Sequence, residues 1–169
     1  MLLSVDAGFK KLGWAVFDKG VPVAWGIIKT EKSTKKTTRM ADDNAYRCGQ
    51  IARKLLQIIG NYKCTGIVGE LPSGGSKSSS AARSMGLATG IAGTLVGILD
   101  LPAEWCTPGE VKIAVTGKVK ASKDEVMDGI RGRFSQCDFP KTKTGFEDIA
   151  DACGAYLALR NGNLVKLFG

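Results

Sequence analysis

The chain has 169 residues, of which 44% are hydrophobic and 24% are charged; these proportions indicate one globular domain with a full core and exclude a disordered segment. The 24 lysines and arginines outnumber the 16 aspartates and glutamates and give a net charge of +8, which favours a polyanionic partner, nucleic acid ahead of an anionic membrane. The chain contains no histidine, so a histidine general base, a histidine-dependent triad and histidine metal ligation are excluded.

The N-terminal part of the chain is predicted to form three strands, at residues 2–7, 12–18 and 21–28. Each is rich in apolar residues, and turns containing Gly and Lys separate them, which is typical of an antiparallel meander. The polar, basic stretch at residues 29–39 is expected to be a solvated loop. Because the first strand begins at Leu2, we expect no signal or transit peptide.

Helices and strands alternate in the middle of the chain. Apolar residues at helical spacing predict a helix over residues 42–60 that ends at Gly60, and a buried strand is predicted at 64–71. A Gly/Ser loop then leads into a second helix, at about residues 80–99. A short strand at 103–107 precedes the remaining helices. The order βββαβαβααα predicts a single α/β domain over residues 1–169, with a mixed sheet flanked by helices.

Three segments have the Ser/Thr-x-x-Glu signature of a reciprocally capped helix start. They are Thr107 to Glu110, Ser122 to Glu125 and Thr144 to Glu147. Pro108, at the first helical position, strengthens the first of these predictions. The third predicts a capping role for Glu147, which would set it apart from the acids that follow it.

Four acids are placed where a solvated carboxylate is not expected or where like charges crowd together. Asp6 and Glu70 lie at the ends of apolar strands, and Asp148 and Asp151 are three residues apart on one helix face. Salt bridges to lysine, or two solvated acids at a helix N-terminus, are the simpler alternatives. A divalent cation neutralises all four acids together, and carboxylates suit Mg²⁺ or Mn²⁺. Two such ions about 4 Å apart form the arrangement used for phosphodiester hydrolysis.

Several motifs in the same order resemble those of the RuvC family of Holliday junction resolvases, within the RNase H-like superfamily. They are SVDAGFKKLGWAV with Asp6, GIVGELP with Glu70, EDIADA with Asp148 and Asp151, and the connecting TPGEVKIAVTGKVKASKDEV. The resemblance covers residues 2 to about 159. It implies an RNase H-like fold in which three antiparallel strands are followed by parallel ones. It also implies that the four acids bind two Mg²⁺ ions per active site, with Mn²⁺ as a substitute.

The resemblance also assigns basic residues to the DNA. Lys123 corresponds to the family's catalytic lysine, and Lys112 to a second basic residue near the scissile phosphate. Further phosphate contacts are expected from four more basic residues: Lys77, Arg83, Lys118 and Lys120. Many relatives carry an aromatic residue shortly after the second acid, whereas here Glu70 is followed by Leu, Pro, Ser and Gly. This departure concerns the loop that probes the junction.

One face of the second predicted helix consists of glycines. They are Gly86, Gly90, Gly93 and Gly97. Glycine lowers helix stability by about 1 kcal/mol relative to alanine, so a row of four implies close approach of another backbone. That backbone belongs either to the chain's own sheet or, as the resemblance implies, to the partner in a two-fold homodimer.

The sequence therefore predicts a Mg²⁺-dependent endonuclease that resolves four-way junctions by paired symmetric nicks. Alternatives are a related nuclease acting on other branched DNA or structured RNA, and a non-catalytic junction-binding protein. A complete actin-like ATP-binding fold is excluded by length. The five cysteines, odd in number and widely spaced, indicate thiols in a reducing cytoplasm rather than disulfides. No membrane segment is expected, since the apolar run from Met85 to Leu99 is short. A bacterial or phage-infected cell suits these features.

Overall fold

A five-stranded mixed sheet forms the centre of the protein. We describe residues 1–71 and 78–168 of a computed structural model of the chain. The strands are β1 (Leu2–Asp6), β2 (Lys11–Asp18), β3 (Val21–Lys29), β4 (Gly66–Glu70) and β5 (Ala103–Cys106). Their order in the sheet is β3-β2-β1-β4-β5, with antiparallel pairing within β1–β3 and parallel pairing of β4 with β1 and of β5 with β4. The predicted mixed sheet is thereby confirmed.

Six helices are present in the described part of the chain. They are α1 (Met40–Tyr62), α2 (Ser79–Leu99), α3 (Pro108–Thr116), α4 (Lys123–Arg133), α5 (Lys143–Leu159) and α6 (Asn163–Phe168). The expectation that the first helix ends at Gly60 is wrong. It continues to Tyr62 and ends at Lys63, which adopts a left-handed conformation (φ 50°). The Lys63 N–H bonds back to the Gly60 carbonyl, so Gly60 lies inside the last turn.

The helices form one layer on each face of the sheet. Alternation along β1 directs Leu2 toward a core shared with α4 and α5, and Leu3 toward a core shared with α1 and α2. Phe17 stacks on Tyr156 in the first core, with ring centroids 3.7 Å apart, and Ile51 is fully buried in the second. All five cysteines are free thiols, as expected.

Two of the three predicted capping boxes are confirmed. The Thr107 and Ser122 side chains accept from the amides of Glu110 and Glu125, whose carboxylates reach back to the cap residues. The third prediction is wrong, because α5 begins earlier than expected. Its N-cap is Thr142, without a side-chain hydrogen bond. The residue expected to be the cap, Thr144, therefore lies inside the first turn.

Helix α2 is the least buried of the long helices. Its buried residues are Ala88, Ile91, Ala92 and Leu95, which face the core formed with α1. By length and composition alone, α2 is long and apolar enough to cross a membrane. The expectation of no membrane segment concerned only the shorter run from Met85 to Leu99. Core helices of soluble proteins pass the same test, but they are mostly buried, whereas only 22% of the apolar window of α2 is buried. The exposed face of α2 therefore requires a separate explanation.

The contact between α5 and the sheet is very close at Gly13. A Cβ atom at this position would lie 1.9 Å from the carbonyl oxygen of Asp148. A second contact fixes the helix one turn further on, where the Ser4 hydroxyl, fully buried, donates to the Ala152 carbonyl at 2.6 Å. Together they set the height of α5 above β1 and β2.

We predict that Gly13→Ala destabilises the protein by more than about 2 kcal/mol, because α5 must move away from the sheet to admit the methyl group. The matched control is Gly132→Ala in α4, where an added Cβ meets no described atom within 4 Å and alanine favours the helix by up to about 1 kcal/mol. Urea unfolding of both variants measures the difference. Equal stability of the two would contradict the close packing of α5 on β2.

Candidate active site

Two of the predicted acids lie side by side at the ends of neighbouring strands. Asp6 is the last residue of β1 and Glu70 the last of β4, and the parallel register pairs them directly. The carboxyl ends of parallel strands meet at the same edge of a sheet, so this position follows from strand order. The expectation that the strand ends bring these acids together is confirmed.

Helix α5 brings the remaining two acids over the same sheet edge. Asp151 lines a cleft of about 300 Å³ together with Asp6 and Glu70. Asp148 lies one turn earlier on α5, and its carbonyl rests against Gly13 of β2. The close seating of α5 therefore determines where both of its acids lie.

Burial and mutual repulsion disfavour the charged forms of these acids. The pKa of Asp6 is raised well above its usual value, by burial first and then by the charges of Asp151, Glu70 and Asp148. Burial and the nearby Asp151 raise the pKa of Glu70 to about 7. Burial also raises the pKa of Asp151 to about 6, although Lys123 opposes the shift. Removing bound protons from this cluster therefore requires a compensating positive charge.

Lys123 supplies part of that positive charge. It is the first residue of α4, as predicted, and its ammonium pairs with Glu147 and lies 3.8 Å from Asp151 Oδ2. Burial favours the neutral amine, but the hydrogen bond to Glu147 and the charge of Asp151 outweigh it and raise the pKa of Lys123. The predicted capping role of Glu147 is wrong, because its carboxylate reaches across to α4 rather than back to its own helix start.

The same cleft contains a second lysine. Lys112 of α3 lines it beside Lys123, and Pro108, Val111 and Val126 complete the wall. Lys112 lowers the pKa of both Glu70 and Asp151, though less than burial raises them. The two lysines predicted to lie near a scissile phosphate are therefore both placed beside the acids.

Asp148 has a partner that the sequence reasoning missed. Its Oδ2 atom lies 3.8 Å from the Nζ of Lys11 in β2, and it is buried without a hydrogen bond. Lys11 lies in the quoted motif around Asp6, but nothing in its spacing links it to an acid 137 positions later (148 − 11). Only the packing of α5 on β2 reveals the pair.

The side chains of the cleft have the donor chemistry that a divalent cation requires. Within residues 1–71 and 78–168, no three His, Cys, Asp or Glu side chains are arranged to hold a metal ion as they stand. The chemistry of the donors nevertheless fits, since carboxylate oxygens are the ligands that Mg²⁺ and Mn²⁺ prefer. The orphaned Oδ2 of Asp148 and the repelled charge of Asp6 are both groups that a cation would satisfy.

The basic residues predicted outside the cleft lie in different places. Lys118 and Lys120 follow α3 at the surface, and the Lys118 ammonium pairs with Glu125 at 2.7 Å. Arg83 donates to the Met40 sulfur at 3.1 Å and lies against α1. Lys77 lies outside the described residues. The structure thus brings Lys112 and Lys123 to the acids and leaves Lys118, Lys120 and Arg83 at the periphery.

The glycine row of α2 faces away from the chain's own sheet. A Cβ atom added at Gly86, Gly90, Gly93 or Gly97 would meet no atom of the described part of the chain within 4 Å, and all four are exposed. The interpretation that these glycines pack on the sheet is therefore wrong. The homodimer expected from the resemblance stays a prediction.

Similar proteins are found both by sequence and by structure, although no protein-family model matches the chain. Crossover junction endodeoxyribonuclease RuvC of Pseudothermotoga lettingae is 31% identical over 165 residues, covering 95% of the chain and 96% of the relative. The Hydrogenovibrio crunogenus protein of the same name is 27% identical, covering 92% and 84%. Thermus thermophilus RuvC in complex with Holliday junction substrate superposes with a TM-score of 0.72 at 21% identity, covering 93% of the chain and 90% of that structure. The yeast mitochondrial Holliday junction resolvase Ydc2 superposes with a TM-score of 0.61 at 13% identity, covering 95% of the chain and 78% of that structure.

The repulsion among the acids predicts a stability that depends on pH. The folded state raises the pKa of Glu70 from 4.5 to about 7, so it binds more protons than the unfolded state in this interval, and stability falls as the pH rises through it. At pH 8 in chelator, Glu70→Gln should therefore be more stable than the wild type by at least about 1 kcal/mol, a rise in melting temperature of about 2–4 °C. At pH 4.5 the difference should largely disappear.

Thermal unfolding at the two pH values measures this effect. Glu31→Gln, at an exposed carboxylate, serves as the control and should show no comparable change. An advantage of Glu70→Gln that is the same at both pH values would argue against charge repulsion as its cause.

Proposed function

The chain belongs to the RuvC family of crossover junction endodeoxyribonucleases, and on this basis we propose that it resolves Holliday junctions by hydrolysing one phosphodiester in each of two opposed strands. The observation that carries the proposal is the pairing of Asp6 with Glu70 at adjacent strand ends, in one cleft with Asp151 and two lysines. A group of buried acids bordered by cations suits a phosphodiester that must be held near bound metal.

We propose that Asp6, Glu70, Asp148 and Asp151 together hold the metal. Two Mg²⁺ ions per site, with Mn²⁺ as a substitute, would activate the attacking water and neutralise the leaving oxygen. The chain contains no histidine to act as a general base. The four acids contribute negative charge in a partly buried position. Because water solvates buried carboxylates poorly, a bound cation stabilises their charges better than solvent does.

The two lysines of the cleft act on the phosphate itself. Lys123 is held at the start of a capped helix, where its ammonium can meet an anion approaching the helix amides. In the proposal, the Lys123 ammonium either breaks its ion pair with Glu147 or keeps it while also contacting the phosphate. In that position it stabilises negative charge that develops on the phosphate or on the leaving oxygen. Lys112, one helix earlier, contacts the neighbouring phosphate oxygens.

Basic residues around the cleft orient the DNA. Lys118 and Lys120 are exposed, and their charges would neutralise phosphates of the junction arms. The ion pair with Glu125 partly offsets the charge of Lys118, so Lys120 should contribute more. Arg83 and Lys77 would contact DNA near the loop that follows Glu70. We propose that the protein works in the cytoplasm, a reducing compartment that suits its five free thiols.

Two active sites must face opposed strands to resolve a symmetric junction, and we propose that a homodimer provides them. The exposed glycine row on α2 supports a contact between backbones of two copies, because no group from residues 1–71 or 78–168 occupies that surface. An interface of this kind would also cover apolar α2 residues such as Ile98, which is 73% exposed.

The decisive assay compares labelled four-way junction, duplex, fork and structured RNA, each with and without Mg²⁺. We expect Mg²⁺-dependent paired nicks in the junction and little cleavage of duplex. Preferred cleavage of fork DNA or of structured RNA would identify a related nuclease instead. Junction binding without cleavage in Mg²⁺ or Mn²⁺ would identify a non-catalytic junction-binding protein.

We predict that Asp6→Asn, Glu70→Gln, Asp148→Asn and Asp151→Asn each reduce cleavage by at least about 10³-fold, because each removes charge that the cations require. Junction affinity should be unchanged or tighter, since repulsion of phosphate decreases. Asp138→Asn, at an exposed acid outside the cleft, is the control and should cut normally. A variant of the four that retains wild-type cleavage would remove its acid from the site.

We predict that Gly90→Leu combined with Gly93→Leu gives a folded monomer that cuts the two junction strands independently. Among the described residues, no group lies within 4 Å of either added Cβ, so the fold should survive while the two copies are pushed apart. Gly60→Leu is matched, since Gly60 is also an exposed helix residue with open space. Sedimentation with and without junction DNA measures assembly. A dimeric double variant would place the interface elsewhere.

A further inference from the structure

The guanidinium of Arg47 is a buried positive charge without an acidic partner in the described part of the chain. Only 4% of the residue is exposed. Its Nε donates to Thr30 Oγ1 at 3.0 Å, its Nη2 donates to the Phe9 carbonyl at 3.3 Å, and its Cζ lies 4.1 Å from the centre of the Phe9 ring. Buried arginines are rarely left without an anion, so this one calls for a ligand.

The natural partner within the helix is bonded elsewhere. Asp43 lies one turn before Arg47 in α1, at the spacing of a helical ion pair. Its Oδ1 instead accepts the backbone N–H of Ser33 at 2.9 Å, and no ion pair joins the two side chains. Among the described residues, Arg47 Nη1 therefore has no hydrogen-bond acceptor.

Arg47 lines a cleft of about 610 Å³ whose other polar groups suit an anion. Lys10 and Lys32 bring two more positive charges, and Ser80 and Ser84 bring hydroxyl groups from the first two turns of α2. The exposed Glu31 is the one acid in the described lining, so three cations face one carboxylate. A cation-rich cleft with hydroxyl donors near a helix start is typical of a phosphate site.

This cleft is close to the catalytic acids. The Gly8 N–H bonds to the Asp6 carbonyl at 2.9 Å, which starts the turn between β1 and β2, and Phe9 and Lys10 follow in the same turn. Three residues span at most about 11 Å, so the Cα of Phe9, whose carbonyl Arg47 contacts, lies within that distance of the Cα of Asp6. Successive nucleotides of one strand of duplex DNA advance by about 3.4 Å along the helix axis. A separation of up to about 11 Å therefore corresponds to one to three nucleotides.

We propose that Arg47, with Lys10, Lys32, Ser80 and Ser84, binds a backbone phosphate one to three nucleotides from the scissile bond on the strand being cut. This inference rests on the proposed function and adds a subsite to it. A guanidinium presents two parallel N–H donors that match phosphate oxygens. Because the Arg47 guanidinium is hydrogen-bonded to Phe9 in the turn that follows Asp6, a phosphate bound there would fix the register of the strand over Asp6 and Glu70.

Junctions carrying a single methylphosphonate, placed in turn at each of the first three phosphates on either side of the scissile bond, test the proposal. Binding is measured in chelator, so that no strand is cut. For the wild type, one position should lower affinity roughly tenfold, as expected for a lost charge-assisted contact. The first variant is Arg47→Lys. Because Arg47 is buried and its replacement can unfold the protein, the second variant combines Lys32→Ala, at an exposed residue, with Ser84→Ala, at a half-buried one. Lys19→Ala, an exposed lysine in the β2–β3 turn, is the control.

In folded variants, the affinity for unmodified junction should fall. A methylphosphonate at the sensitive position should then lower the affinity no further, because the contact is already absent. In Lys19→Ala the same methylphosphonate should still lower the affinity. No sensitive flanking position in the wild type, or unchanged sensitivity in both cleft variants, would overturn the inference while leaving the proposed function intact. A wild type that binds no junction would overturn both. A melting-temperature rise with inorganic phosphate, lost in Arg47→Lys but without any methylphosphonate effect, would assign the cleft to free phosphate and overturn the DNA contact.

Discussion

The repulsion among carboxylates at the carboxyl ends of β1 and β4 is the constraint on which much of this molecule depends. Asp6 and Glu70 are adjacent in the sheet register, and burial disfavours ionisation of both. A protein tolerates such a cluster at a cost in stability when the cluster has a ligand to bind. The cost explains why two lysines from separate helices border the same cleft, and why neither neutralises it fully.

The seating of α5 determines how the acids meet. Gly13 leaves room for the Asp148 carbonyl, and the buried hydroxyl of Ser4 holds the Ala152 carbonyl. Both contacts are made to backbone carbonyls of α5, so they fix the helix in height and rotation without depending on the charges of its side chains. The geometry of the site is thereby set by packing, and the positions of the acids do not depend on whether they are protonated or charged.

Positive charge is distributed on two sides of the sheet edge. Lys112 and Lys123 lie on the face covered by α3 and α4, whereas Arg47, Lys10 and Lys32 lie near α1 and the start of α2. The acids are between these groups, at the ends of β1 and β4. A strand of nucleic acid laid across this edge would be held on both sides of the bond to be cut. The net charge of +8 indicates a polyanionic partner but does not give this placement of the positive charges.

The sequence by itself determined the strands, the two capped helix starts and the four acids. Alternation of apolar residues and Ser/Thr-x-x-Glu signatures act over a few residues, and the acids were recognisable because an apolar strand end is a costly place for a carboxylate. Tertiary structure decided what depends on residues far apart in the chain. Glu147 pairs with Lys123 of another helix instead of capping its own. Asp148 of α5 lies beside Lys11 of β2, and the glycines of α2 face outward. Local patterns do not encode which surfaces pack together, because packing is chosen by the whole core at once.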